Sequence, residues 1–204
     1  MKWRLAVSVL LLALAALPAL AQTDEPTRAE NEKYFFAFTV EANCFVTYPE
    51  GGDGFSAIHN PQGGGKGTQA DYGLLVFGSP YYKFTDAEKA AIKLDLGTDG
   101  MLSVSEVKTN ARFSEIFEAA MATHGWNPIG DATIKVEDGP SQKVPYFSWS
   151  QAAKGKTHYA LMYVVMHGDA FITVQVEGSR PFTKAQTEWF ITKLELEKIA
   201  APES

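Results

Sequence analysis

The sequence predicts an α+β domain in which helices flank an antiparallel sheet. Three observations carry this. The C-terminal third reads as four successive strands, the last two joined by the tight turn His167-Gly168-Asp169. Capping boxes at Thr85–Glu88, Ser103–Glu106 and Thr183–Gln186 mark three helix starts. Phe113, Ile116, Phe117, Ala120 and Met121 follow the i, i+3, i+4, i+7, i+8 spacing of a helix laid on a core. Nothing repeats, and no composition shift divides the chain into two domains.

In chain order, Lys2 and Arg4 precede an apolar run from Leu5 to Leu17, broken by Pro18 and followed by Ala19-Leu20-Ala21. That sequence of parts is an export leader, cleaved near Ala21. The run is too short to span a bilayer, and no cysteine follows the cut for a lipid, so no stable membrane anchor is expected. The expected location is periplasmic or secreted. Residues 22–33 are polar and read as a flexible arm, 34–198 as the domain and 199–204 as a tail. Tyr34 to Val40, Cys44 to Tyr48, Phe55 to Ile58 and Gly73 to Phe77 are expected strands. A helix is expected from the Thr85 cap to Leu94, another after Ser103, and the core-facing one up to Gly125, which Pro128 keeps from resuming. Ile134 to Val136, Val144 to Ser150, Tyr159 to Met166 and Ala170 to Glu177 complete the strands. In the last of these, Ile172, Val174 and Val176 alternate with Thr173, Gln175 and Glu177, the period-two pattern of a sheet with one dry face. The closing helix turns Phe190, Ile191 and Leu194 inward, with Trp189 at the margin.

Composition narrows the function. The 204 residues carry a formal charge of −6; without Lys2 and Arg4 the exported part has 16 basic against 24 acidic side chains, or −8. This excludes the clustered cations that a nucleic acid or an anionic lipid surface requires. Cys44 is the sole cysteine, so the fold has no internal disulfide and rests on its core; its apolar setting, Cys44-Phe45-Val46, predicts burial. The run Asn60-Pro61-Gln62-Gly63-Gly64-Gly65-Lys66-Gly67-Thr68 lacks the spacing of a phosphate-binding loop, with Gly67 where a hydroxyl is needed, and reads as a surface loop. His59, His124, His158 and His167 form no zinc-type spacing, and no nucleophile elbow is present.

One constellation has ion-binding spacing. From Asp95 to Glu106 the chain places Asp95, Asp99, the Met101 carbonyl, Ser103 and Glu106 at positions one, five, seven, nine and twelve of an EF-hand-type loop, with Gly100 at six. Gly97 stands at position three, where a ligand is required, and no partner loop is present in the sequence. Calcium, at low affinity, is the cofactor this loop invites, with some other cation as the alternative. The competing explanation is structural: Glu106 belongs to the Ser103 capping box and Asp99-Gly100 is an ordinary turn pair.

From Ile134 to Leu196 the paired strands, the long hairpin and the closing amphipathic helix, with the phrase Tyr163-Val164-Val165-Met166-His167-Gly168-Asp169-Ala170-Phe171, resemble the PsbP-like fold. Periplasmic domains of the DcrB kind and chaperones for secreted effectors look similar. The resemblance spans Tyr34 to Leu196 and implies an α/β/α sandwich that serves binding, assembly or chaperoning and is not an enzyme. It assigns no site residue. The expected partner is an envelope protein or another macromolecule. The alternatives are a calcium-binding domain at Asp95–Glu106 and a hydrolase with a dispersed site.

Overall fold

The computed structural model describes residues 25–59, 71–92, 100–108, 113–137, 140–193 and 195–199. The leader, the glycine-rich loop, Asp95, Asp99, Leu194 and the last five residues lie outside that set. A seven-stranded sheet organises the chain. Its strands are β3 (Cys44–Thr47), β4 (Gly54–His59), β5 (Tyr72–Ser79), β8 (Asn127–Ile134), β9 (Gln142–Ala153), β10 (Lys156–His167) and β11 (Ala170–Gly178). Their order across the sheet is β3-β4-β5-β11-β10-β9-β8, and each neighbouring pair is antiparallel. The α+β class and the antiparallel sheet are therefore as the sequence led us to expect. Two-residue turns close the long hairpins: Lys154 and Gly155 both take positive φ, and Gly168 takes the one the last turn needs.

The two faces are covered differently. On the first, Tyr72, Leu74, Val76, Leu161, Tyr163, Val165, Ile172 and Val174 form one core with Phe36, Phe38, Val40, Phe190 and Leu196. Phe36, Phe38 and Val40 come from β2 (Phe36–Val40), which joins β1 (Thr27–Asn31) and β12 (Glu197–Lys198) in a second, three-stranded sheet. Phe190 comes from a π-helical turn, Trp189–Lys193, that continues the short helix Lys184–Glu188. This face is thus closed by a small sheet as well as by the expected helix. On the second face, Phe147, Met162 and Phe171 pack under a helix whose inward residues are Ile116, Phe117, Ala120 and Met121.

That helix is α3 (Phe113–Ala122), preceded by α1 (Asp86–Ile92) and α2 (Val104–Lys108); the Lys184–Glu188 helix is α4. A ribbon of β6 (Tyr81–Lys83) and β7 (Met101–Ser103) sets Tyr82 and Leu102 against the same layer. All three capping boxes form, with Thr85, Ser103 and Thr183 as caps.

Several expectations need correction. Thr27–Asn31, placed in the flexible arm, form β1: Ala29 and Asn31 point inward while exposed Arg28 and Glu30 alternate with them, and Arg28 Nε donates to Glu197 Oε2 at 2.5 Å. Charge hid a strand whose outward residues are simply paired. Asn127 to Thr133, outside the expected strands, form most of β8; the helix does not resume at Pro128, and a bulge between Pro128 and Gly130 absorbs the missing N–H on an edge strand. Of the strand expected at Ile134–Val136 only Ile134 falls in β8, as its last residue, and Val136 makes an isolated parallel bridge to Leu196.

Candidate functional site

Of the predicted ion ligands, Met101 and Ser103 lie in β7 and Glu106 in the first turn of α2; Asp95 and Asp99 fall outside the described residues. Gly100 has φ +64°, the conformation position six of such a loop demands. The Phe84 amide donates to its carbonyl at 2.9 Å. Positions seven to nine are extended and paired with β6, and the exit helix begins at position ten. The Glu106 carboxylate accepts from the Ser103 amide at 2.7 Å and from its hydroxyl at 2.6 Å, so the capping box holds it in place.

The histidines are dispersed. His167 Nε2 lies 2.9 Å from the Phe35 carbonyl, tying the β10–β11 turn to the small sheet. His124 follows α3 and stands 3.2 Å from Glu88, a carboxylate only 1% exposed that also accepts from the Tyr82 hydroxyl and the Thr85 amide. This network clamps α1 to α3. His59 is the cross-strand partner of Cys44, a juxtaposition invisible without the register. Its ring stacks on Tyr72 at 4.8 Å and 12°, its Nδ1 has no hydrogen-bond partner among the described residues, and Asp71 Oδ2 is 3.9 Å away. Tyr72 donates to Glu41 at 2.6 Å. Burial, reinforced by the Glu41 charge, pushes the Cys44 thiol up to about 12. At neutral pH Cys44 is a thiol and not a nucleophile, so a base within one strand does not make this corner a hydrolase.

An open feature lies on the second sheet face, on its β3-β4-β5 side. Directly opposed residues of antiparallel strands point to the same side. One row across the sheet runs Phe45, Ile58, Gly73, Glu177, and the next Thr47, Ser56, Leu75, Gln175. Phe77 stands beside them. Phe45, Ile58, Leu75 and Phe77 are all partly exposed, and none joins the packed clusters on either face. In their midst a Cβ added to Gly73 would meet nothing within 4 Å. A strand glycine with open space above it, neighboured by Ile58, Leu75 and Glu177, is a position where another backbone can approach closely. Beside it Glu177 accepts from the Gln175 amide, and burial raises its pKa against the opposing pull of Gln175 and His158.

No protein-family model matches the chain, and no curated protein matches it by sequence. Some solved structures are similar in shape. A protein from Bacteroides thetaiotaomicron is 10% identical with a TM-score of 0.46; the match covers 88% of this chain and 50% of that one, so the chain spans half its length. A point mutant of the protein Mog1 is 8% identical with a TM-score of 0.40, over 81% of this chain and 82% of that one. The cyanobacterial PsbP (CyanoP) from Synechocystis is 13% identical with a TM-score of 0.31, over 87% and 90%. A PsbP is thus among the similar structures, as the order of elements led us to expect. The likeness is one of fold and says nothing of function.

The open face carried a signal in the sequence. Gly73-Leu74-Leu75-Val76-Phe77 is apolar on both sides of the strand, whereas β11 beside it alternates. A strand apolar on both sides, next to one that is not, needs a second cover.

Proposed function

We propose that the chain is an exported, non-catalytic binding module of the cell envelope, and that it takes an apolar protein segment on the second sheet face over Gly73. The observation that carries this is the open space above Gly73 between partly exposed Ile58 and Leu75. The leader at 1–21 supports the envelope assignment, and the acidic balance favours a protein over nucleic acid as partner. Gly73 carries no positive φ, so Gly73→Leu fills the notch without backbone strain. The test compares partners crosslinked to the wild-type and Gly73→Leu proteins in envelope extract. Loss of a specific partner from a variant that melts as the wild type does supports the proposal. An unchanged set of partners refutes it. Mass spectrometry of the exported protein checks the leader: an N-terminus at Gln22 is expected, and retention of residues 1–21 counts against export.

A second reading is calcium binding at Asp95–Glu106, through Asp95, Asp99, Met101, Ser103 and Glu106. It is favoured by the frame around the loop. Gly100 has the required positive φ, α2 starts at position ten, and β6 takes the place of a partner loop's strand against positions seven to nine. Glu106 would exchange its bonds to Ser103 for the ion, which keeps affinity low, in the range of roughly 10⁻⁴ to 10⁻³ M known for extracellular modules. Calorimetric titration tests it: heat at millimolar calcium that Glu106→Gln abolishes is the expected result, and no heat from the wild-type protein excludes the reading.

A further inference from the structure

The chemistry of the open face narrows the kind of segment it takes. We infer that the partner segment is apolar but carries a lysine or arginine that meets Glu177. The inference rests on the binding reading above and adds the partner's charge to it.

The argument is one of charge complementarity. Glu177 lies in the same cross-sheet row as Ile58 and Gly73, one strand from the notch. It is partly buried, and its neighbour Gln175 is almost wholly so. A carboxylate withdrawn from water needs a cation or several donors. Among the described residues Glu177 accepts from one amide, that of Gln175, and forms no ion pair with a lysine or arginine. His158 attracts it only when protonated. Several acids of the described surface are held directly by a lysine or arginine, such as Asp53 by Lys33, Asp86 by Lys89, Asp131 by Lys143 and Glu197 by Arg28. Glu177 has no such partner among the described residues, and it borders the apolar notch. An ammonium or guanidinium arriving with the segment completes its coordination, and the segment's apolar side chains cover Ile58, Leu75 and Phe77.

The test selects binders from a random dodecamer peptide library displayed on phage, using the wild-type, Gly73→Leu and Glu177→Gln proteins as baits. Wild-type selection is expected to enrich apolar peptides bearing lysine or arginine. Gly73→Leu should abolish their binding, and Glu177→Gln should weaken it on the order of tenfold and remove the basic preference. Peptides that Gly73→Leu blocks but that lack a basic residue, or that bind Glu177→Gln as tightly, overturn this inference and leave the binding face standing. Peptides indifferent to Gly73→Leu overturn both. The composition of the wild-type selection decides the matter even where a variant folds poorly.

Discussion

Glu88 gives the sharpest test of how the helical layer is held. Its carboxylate is 1% exposed and bonded on both oxygens: Oε1 accepts from the Tyr82 hydroxyl at 2.9 Å and faces His124 Nε2 at 3.2 Å, and Oε2 accepts from the Thr85 amide at 2.5 Å. Glu88→Ala removes all of these. Loss of the capping interaction costs about 1 kcal/mol, and an enclosed Tyr82 hydroxyl left unpaired costs roughly 1–3 kcal/mol. The His124 contact adds little, since that side chain is 46% exposed and solvent screens it. The total is about 2–4 kcal/mol, which for a domain of this size lowers Tm by roughly 5–15 °C.

Glu88→Gln behaves differently. Its amide oxygen can keep the Thr85 N–H while its NH₂ donates to the Tyr82 oxygen, so the loss should stay under about 1 kcal/mol. Urea and thermal unfolding followed by circular dichroism measure both variants. If Glu88→Ala costs less than about 0.5 kcal/mol, or if Glu88→Gln costs as much as Glu88→Ala, the clamp does not work as described.

Tyr163 is fully buried and its hydroxyl has no partner among the described residues; Tyr163→Phe should stabilise the fold by about 1–2 kcal/mol, and a loss of stability in urea unfolding would contradict the unpaired hydroxyl. Burial raises the Glu177 pKa, so the folded state binds its proton more tightly than the unfolded chain. Stability from this group is therefore present at low pH and lost as pH rises through the window between the unfolded and the raised folded value. Glu177→Gln should gain on the wild type at pH 7 and lose that gain near pH 4, and a gap that does not vary with pH would refute the assignment. Cys44 is 5% exposed and held as a thiol; in the native protein it should resist a thiol reagent that labels it fully in denaturant, and rapid native labelling would show the β3 edge to be open.

The sheet was legible because its strands announce themselves locally. β10 carries a continuous apolar run, β11 is apolar on alternate residues, and they meet at a glycine turn; β11 ends one residue past its expected bound, and β10 starts three residues earlier and ends one later than expected. The capping boxes were equally plain, each being a contact within four residues. What escaped was set by distance along the chain. β1 is charged on its outer face and is a strand only because Phe36–Val40 offers a partner edge. β12 is two residues long and exists through Ala37 and Phe36. The pairing of Cys44 with His59 follows from a register that no spacing rule supplies. The Glu88 network needs Tyr82, Thr85 and His124 together, though from sequence only its capping half shows.

The two sides of the sheet explain why a binding surface falls where it does. The first face is closed along the sheet from β4 to β10, because β2 and the Phe190 turn together span that width. Among the described residues the second face is covered by α3 and, beside it, by the β6–β7 ribbon. A ten-residue helix is about 15 Å long and about 10 Å wide, whereas seven strands at their usual spacing span roughly 30 Å. One such helix cannot cover that width, and the helical layer sits over Phe147, Met162 and Phe171, on the β9-β10-β11 side. The β3-β4-β5 side of the same face is then left with Phe45, Ile58, Leu75 and Phe77 partly exposed, the surface on which the proposed segment would sit. The calcium loop frame at β6–β7 and α2 belongs to the helical side, so the two proposed functions draw on different ends of the face and share no residue. Separated sites of this kind act additively, which is why Gly73→Leu and Glu106→Gln can each test one reading without disturbing the other.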